Sequence, residues 1–186
     1  MIWKLILSGV GGQGIISAGI LLGEAAVIHE GLHAVQTQTY GAEMRGGLSR
    51  ADVTISDQPV MYPKVTQGHV LVCMHQKALS ATLGMIRPGG LLIADRSNVT
   101  VDRSTDARYY ELPLTENALT QLGSPRSANI SMVAAVVALT GVVSAEALEA
   151  AVFRRFGEKS DALAALRLGY TAVEEAGAKK RAYSTL

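Results

Sequence analysis

The chain has 186 residues, 48% of them hydrophobic, which suffices for one domain with a filled core. Its 17 lysines and arginines nearly cancel its 16 acidic residues, so the broad basic footprint of a nucleic-acid or acidic-membrane binder is excluded. The single cysteine, Cys73, excludes an internal disulfide framework and any iron–sulfur cluster held by four thiolates of this chain, and it fits a reducing compartment.

The opening "MIWKLILSGVGG" is apolar over too few residues for a secretory signal or a membrane span, so a cytoplasmic location is expected. Residues 2–7 read as a short buried strand and residues 15–28 as a helix, stopped by Gly31. The next strand, "HAVQTQT", carries polar residues on both faces, unlike an interior parallel strand, and is expected to meet solvent or a partner. Residues 48–56 alternate Ala51, Val53 and Ile55 with Arg50, Asp52, Thr54 and Ser56, the pattern of a half-buried strand. The link between these two strands is too short for a right-handed crossover, so as neighbours they must be antiparallel and the sheet mixed. Pro59 and Pro63 punctuate a loop before the apolar strand "VLVCM" from Val70. A helix over 76–86 then ends before Pro88-Gly89-Gly90, and "LLIAD" at 91–95 is the next buried strand.

Residues 96–107 read as a loop, and 109–112 as a last, weaker strand. From Leu114 onward the chain reads as helical, with segments near 115–122, 129–139, 145–156 and 161–176. Ser144 and Ser160 stand as N-caps, and Gly141, Gly157 and Gly177 stand where helices end. The expected fold is a three-layer α/β/α domain over residues 1–178. Its sheet is mixed, mostly parallel and Rossmann-like, with a C-terminal helical region and a frayed tail at 179–186 that includes Lys179, Lys180 and Arg181.

Gly9, Gly11 and Gly14 have the G-x-G-x-x-G spacing, between a strand and a helix, that lets backbone amides and a helix N-terminus approach a phosphate. A dehydrogenase of that type also needs an acidic residue some 20 positions on to hold the ribose, yet Ala34 to Gln38 contains no Asp or Glu. A different phosphate ligand, a partner's backbone or a plain tight turn therefore stay open beside NAD. The loop is not a Walker phosphate loop, because Ile15 and Ile16 follow Gly14. His29 and His33 have metal-compatible spacing, but Gly31 between them breaks the helix that ligation needs. His69 and His75 read as ordinary strand-end residues, and Ser8, Ser17 and Ser49 lack the nucleophile-elbow pattern. The stretch Thr39, Tyr40, Gly41, Ala42, Glu43, Met44, Arg45, Gly46, Gly47 sets large side chains among glycines, as a loop at a buried interface does, and a plain turn with a Glu43–Arg45 surface pair stays open beside that reading.

Taken together, "GVGGQG", "TYGAEMRGG" before a strand ending "ISD", "PKV" and "SANISMVAAVVALTGVVSAEALEAAV" resemble the gamma subunit, or gamma domain, of the 2-oxoacid:ferredoxin oxidoreductases over residues 2–176. That resemblance implies a coenzyme A-dependent oxidative decarboxylation of a 2-oxoacid to an acyl-CoA and carbon dioxide, with ferredoxin as electron acceptor. It places thiamine diphosphate on the alpha and beta chains and the iron–sulfur clusters on the beta and delta chains, with no cofactor held by this chain alone. The gamma part helps enclose the active site and shares in binding coenzyme A. Carried over by residue, Gly9, Gly11, Gly12, Gln13 and Gly14 form the cofactor loop. Tyr40, Gly41, Glu43, Arg45, Gly46 and Gly47 form a facing segment for ligand or subunit contacts. The wording of "RGGLSRADVTISD" and "MYPKV" resembles the 2-oxoglutarate branch more than the pyruvate or branched-chain branches. The rival reading is a stand-alone nucleotide-binding regulator or an NAD(P)-dependent oxidoreductase that uses the same loop.

Overall fold

A computed structural model of the chain describes residues 1–41, 46–102, 107–158 and 161–177. Its centre is a six-stranded sheet of order β2-β3-β1-β4-β5-β6. The strands are β1 (Ile2–Val10), β2 (His33–Tyr40), β3 (Leu48–Ser56), β4 (Gly68–Cys73), β5 (Ile86–Asp95) and β6 (Arg108–Leu112). Strands β1, β4, β5 and β6 run parallel as successive neighbours, while β3 is antiparallel to both β1 and β2. The sheet is thus mixed and mostly parallel, and the antiparallel β2–β3 pair is the one that the short link requires.

The sequence expectations need adjustment at three strands. β1 runs on through Gly9 to Val10. β3 is buried on both faces from Ala51 to Ser56, where alternation predicted one wet face. The reason is tertiary: β3 lies inside the sheet, and its polar face is roofed where Arg50 reaches the sulfur of Met85. Pro88-Gly89-Gly90 does not precede β5 but lies within it, as an irregularity in which the pairing moves from Gly68–Ile86 to Val70–Leu91. The expectation for "HAVQTQT" holds, since β2 forms an edge of the sheet and none of its residues is fully buried.

Helix α1 (Ile15–Glu24) continues as one π-helical turn, Ala25–His29, and Gly31 follows in the left-handed region at φ 66°. α2 (Gln76–Thr82) tightens into a 3₁₀ turn at Leu83–Met85. The C-terminal helices are α3 (Leu114–Leu122), α4 (Ala128–Thr140), α5 (Ala145–Phe156) and α6 (Asp161–Gly177). Ser144 caps α5, its Oγ accepting from the Ala147 N–H at 3.1 Å, whereas Ser160 lies outside the described residues. Every residue of α4 from Ile130 to Val137 is buried, as expected of a helix apolar all round.

Two cores hold the layers together. On one face Leu5, Leu7, Val53, Val70 and Ile93 pack against α1 and α3 to α6. On the other Ile6, Leu71 and Leu92 pack against Leu79 of α2 and the apolar loop residues Val65, Val99 and Val101. Among the described residues no helix is long and apolar enough to cross a membrane.

Candidate functional site

The glycine loop leaves β1 at the carboxyl end of the parallel strands, beside the point where the connections turn from β2 and β3 on one side of β1 to β4 on the other. Open α/β sheets gather ligands at such a switch point. The loop turns tightly, with the Gln13 N–H donating to the Val10 carbonyl at 3.2 Å, and Gly14 enters α1 at φ 71°. The first intrahelical bond runs from the Ala18 N–H to the Gly14 carbonyl at 2.9 Å, so the amides of Ile15, Ile16 and Ser17 precede the ladder. No side chain caps this end, and its first turn holds no acidic residue. Both features leave the positive end of the helix dipole available to an anion.

β3 brings the second glycine-rich segment to the first. Its start pairs Leu48 with Val10, the Gly11 N–H donates to the Gly47 carbonyl at 2.9 Å, and the Gly41 N–H donates to the Leu48 carbonyl at 2.7 Å. Between the two segments lies an open cavity of about 460 Å³, within the size range of ligand pockets. Gly11, Gly12 and Gly14 line it from the loop, and Tyr40, Gly41, Gly46 and Gly47 line it from the facing segment. Tyr40 is 63% exposed, so its ring is free to cover a ligand or meet another chain. Glu43 and Arg45 lie outside the described residues. Ser17 and Ser49, set aside as nucleophiles, contribute to the lining as well.

Two of the loop residues serve its architecture. Gln13 folds back so that its Oε1 accepts from the Val10 N–H at 2.9 Å and its Nε2 donates to the Met74 carbonyl at 3.0 Å, tying β1 to the end of β4. Gly9 makes room for this, since a Cβ there would lie 2.5 Å from Gln13 Oε1. Asn129 was not legible as a site residue. From the first turn of α4 its Nδ2 donates to the Gly14 carbonyl at 3.2 Å, and its side chain fills the space that a Cβ on Gly14 would need. Gln36 was missed too: it joins β2 to α1 by donating to the Ile16 carbonyl at 3.3 Å.

The other singled-out groups have structural surroundings. Cys73 is fully buried, 3.3 Å from the Ser8 hydroxyl and 3.8 Å from that of Thr82, and burial pushes its thiol above the usual range. His75 caps α2 through Nδ1, which accepts from the Lys77 N–H at 3.1 Å, and His69 accepts the β1 amide of Lys4 at 2.9 Å. His29 ends the π turn and His33 begins β2, so they stand on different elements.

The strand order also bears on NAD. In the dinucleotide fold β2 is the immediate neighbour of β1, whereas here β3 intervenes and moves the end of β2 two strand spacings, about 10 Å, from the glycine loop. The position that would hold the ribose is therefore displaced as well as lacking a carboxylate.

Residues 4–172 match the family model described as pyruvate ferredoxin/flavodoxin oxidoreductase. The 2-oxoglutarate synthase subunit KorC of Methanocaldococcus jannaschii is 40% identical, the match covering 92% of this chain and 94% of that one. The gamma subunit of a keto/oxoacid ferredoxin oxidoreductase from Geobacter sulfurreducens superposes with a TM-score of 0.81 at 35% identity, over 93% of this chain and 99% of that one. The fold recurs in 2-oxoglutarate:ferredoxin oxidoreductase from Magnetococcus marinus, solved with 2-oxoglutarate, coenzyme A and succinyl-CoA bound. There the TM-score is 0.79 at 22% identity, over all of this chain and 32% of that one. With nearly its whole length matched, the chain belongs to the pyruvate ferredoxin/flavodoxin oxidoreductase family, as a gamma subunit of a 2-oxoacid:ferredoxin oxidoreductase complex.

Proposed function

We propose that this gamma subunit serves the coenzyme A-dependent oxidative decarboxylation of 2-oxoglutarate to succinyl-CoA and carbon dioxide, and that the cavity at its glycine loop receives the pyrophosphate of coenzyme A. The observation that carries the reading is an uncapped helix N-terminus facing a cavity that no described charged side chain lines. Such a site attracts phosphate and lacks a carboxylate for a free ribose diol, in keeping with coenzyme A, whose ribose is 3′-phosphorylated, rather than NAD. The choice of 2-oxoglutarate rests on the likeness to the archaeal 2-oxoglutarate synthase subunit.

In this reading the backbone of Gly11, Gly12 and Gly14 approaches the phosphates. Tyr40, Gly41, Gly46 and Gly47, with Glu43 and Arg45 of the same stretch, meet the ligand or the neighbouring subunit. Thiamine diphosphate and the clusters belong to alpha, beta and delta chains, because this chain has one thiol, which is buried, and its sequence has no Gly-Asp-Gly thiamine diphosphate motif. Electrons leave through those partners to ferredoxin. Cytoplasmic assembly with these chains is part of the proposal.

The test is reconstitution. The partner chains with this subunit should reduce ferredoxin or a dye when given 2-oxoglutarate and coenzyme A together, and should lose that activity without it. A panel of pyruvate, branched-chain and indole 2-oxoacids reads the selectivity, and preference for one of them overturns the 2-oxoglutarate assignment. Calorimetric titration of the complex should give tighter binding of coenzyme A than of NAD, and the reverse order would favour the dinucleotide reading.

A further inference from the structure

We infer that Asn129 and Gln13 are positioning residues for the glycine loop, which set the aim of its amides without touching the ligand. The inference rests on the reading that the loop takes a phosphate of coenzyme A. Gln13 belongs to the loop by sequence, yet both ends of its carboxamide are spent on backbone, on the Val10 N–H and on the Met74 carbonyl, and it does not line the cavity. Asn129 stands behind the loop and holds the Gly14 carbonyl at 3.2 Å.

Peptide planarity turns that hydrogen bond into control of the site. The Gly14 carbonyl and the Ile15 N–H belong to one rigid unit and point in opposite directions, so fixing the oxygen fixes the line along which the Ile15 amide enters the cavity. The Gly14 carbonyl also accepts the Ala18 N–H at 2.9 Å, and Asn129 adds a second donor that holds the same oxygen from α4, at a glycine in the left-handed region with no Cβ to limit it. Gln13 does the corresponding work one turn earlier, fastening the end of β1 to the end of β4 so that the loop starts from a fixed base. Such supporting shells are what keep donors within the narrow tolerance that a phosphate demands.

The experiment uses the assembled enzyme and four substitutions. Asn129→Ala removes the donor to Gly14, and Gln13→Met removes the contacts to the Val10 N–H and the Met74 carbonyl at similar volume and without adding a charge. Each should raise the KM for coenzyme A about tenfold, the size of one lost hydrogen bond, with kcat within about twofold. A merely structural role would lower the unfolding temperature and leave the KM alone. Should Asn129→Ala fail to assemble, Asn129→Ser makes the same comparison, because its shorter side chain cannot reach as far. Ser17→Asp places a negative charge at an exposed position of the cavity lining, and it tests the underlying reading. If Ser17→Asp raises the KM while the Asn129 and Gln13 variants keep the wild-type value, the positioning inference is overturned and the site reading stands. If Ser17→Asp leaves the KM unchanged, coenzyme A is not at this loop and both fall.

Discussion

Arg50 and Asp52, two residues apart on the same face of β3, form an ion pair at 2.8 Å within the fold, and the second carboxylate oxygen of Asp52 is buried without a partner. Burial outweighs the arginine and raises the carboxyl above its ordinary value of 3.8. A raised carboxyl favours the protonated folded form, so its contribution to stability is fully present below pH 3.8 and is lost as pH rises through the folded value. Asp52→Asn should therefore gain stability relative to wild type as pH is raised from the acid side, read by urea denaturation across that range. Asp52→Ala should cost about 2–3 kcal/mol at neutral pH, because it strands a mostly buried guanidinium.

His69 adds an acid-sensitive contact on the other side of β1. Its Nδ1 accepts the Lys4 amide, and burial first, then the charges of Arg87 and Lys4, lowers its basicity below the ordinary value of 6.5. The neutral ring is the native form, so stability should fall as pH drops below 6.5 and through the folded value. His69→Asn should flatten that part of the pH–stability curve, and an unchanged slope would rule out His69 as its source.

Gly14 and Asn129 should couple in stability as well as in binding. Gly14→Ala imposes a left-handed conformation on a residue with a Cβ, about 1–2 kcal/mol, and drives that Cβ into the Asn129 side chain. Removing the Asn129 side chain relieves the second cost. Thermal unfolding of the double variant Gly14→Ala, Asn129→Ala should show a loss smaller than the sum of the single losses by about 1 kcal/mol, and strict additivity would deny the contact.

Gly169 in α6 tests the helical layer. A Cβ there would meet the Ser131 carbonyl and lie 2.7 Å from Ala134 Cβ, both on α4, while the Ser131 hydroxyl donates to the Ala165 carbonyl at 2.7 Å. Helix propensity alone favours Gly169→Ala by about 1 kcal/mol, but the close approach of the two helices reverses the sign. Destabilisation of about 1–3 kcal/mol by chemical denaturation is expected, and a gain would show that α6 can shift away from α4.

Local patterns carried much of this into the sequence. The strand–glycine–helix order, the antiparallel β2–β3 pair and the capped or glycine-ended helices follow from rules that operate over a few residues. The adjacency of the two glycine-rich segments came only through the family resemblance, since it rests on the long-range pairing of β3 with β1. The failures are of another kind. Arg50, Asp52 and Thr54 read as a wet face because alternation cannot report that Arg50 meets the Met85 sulfur thirty-five residues away and that α2 packs against β3. Pro88-Gly89-Gly90 carries every mark of a turn, and only the pairing with β4 turns it into a strand irregularity. Asn129 gave no signal because its partner Gly14 lies 115 residues earlier, and a single asparagine in an apolar helix resembles any other.

The place of β1 has a consequence for how the chain is made. β1 leaves the ribosome before the other five strands of its sheet, but its neighbours are β3 and β4, so its backbone pairings are complete only once residue 56 on one side and residue 73 on the other have been made. At about 5 to 20 residues per second, a nascent chain carries an apolar, unpaired strand for several seconds before either arrives. Closing those long loops comes before any reward from the central pairings, which marks this domain as a slow folder with an early hydrophobic segment for chaperones to cover.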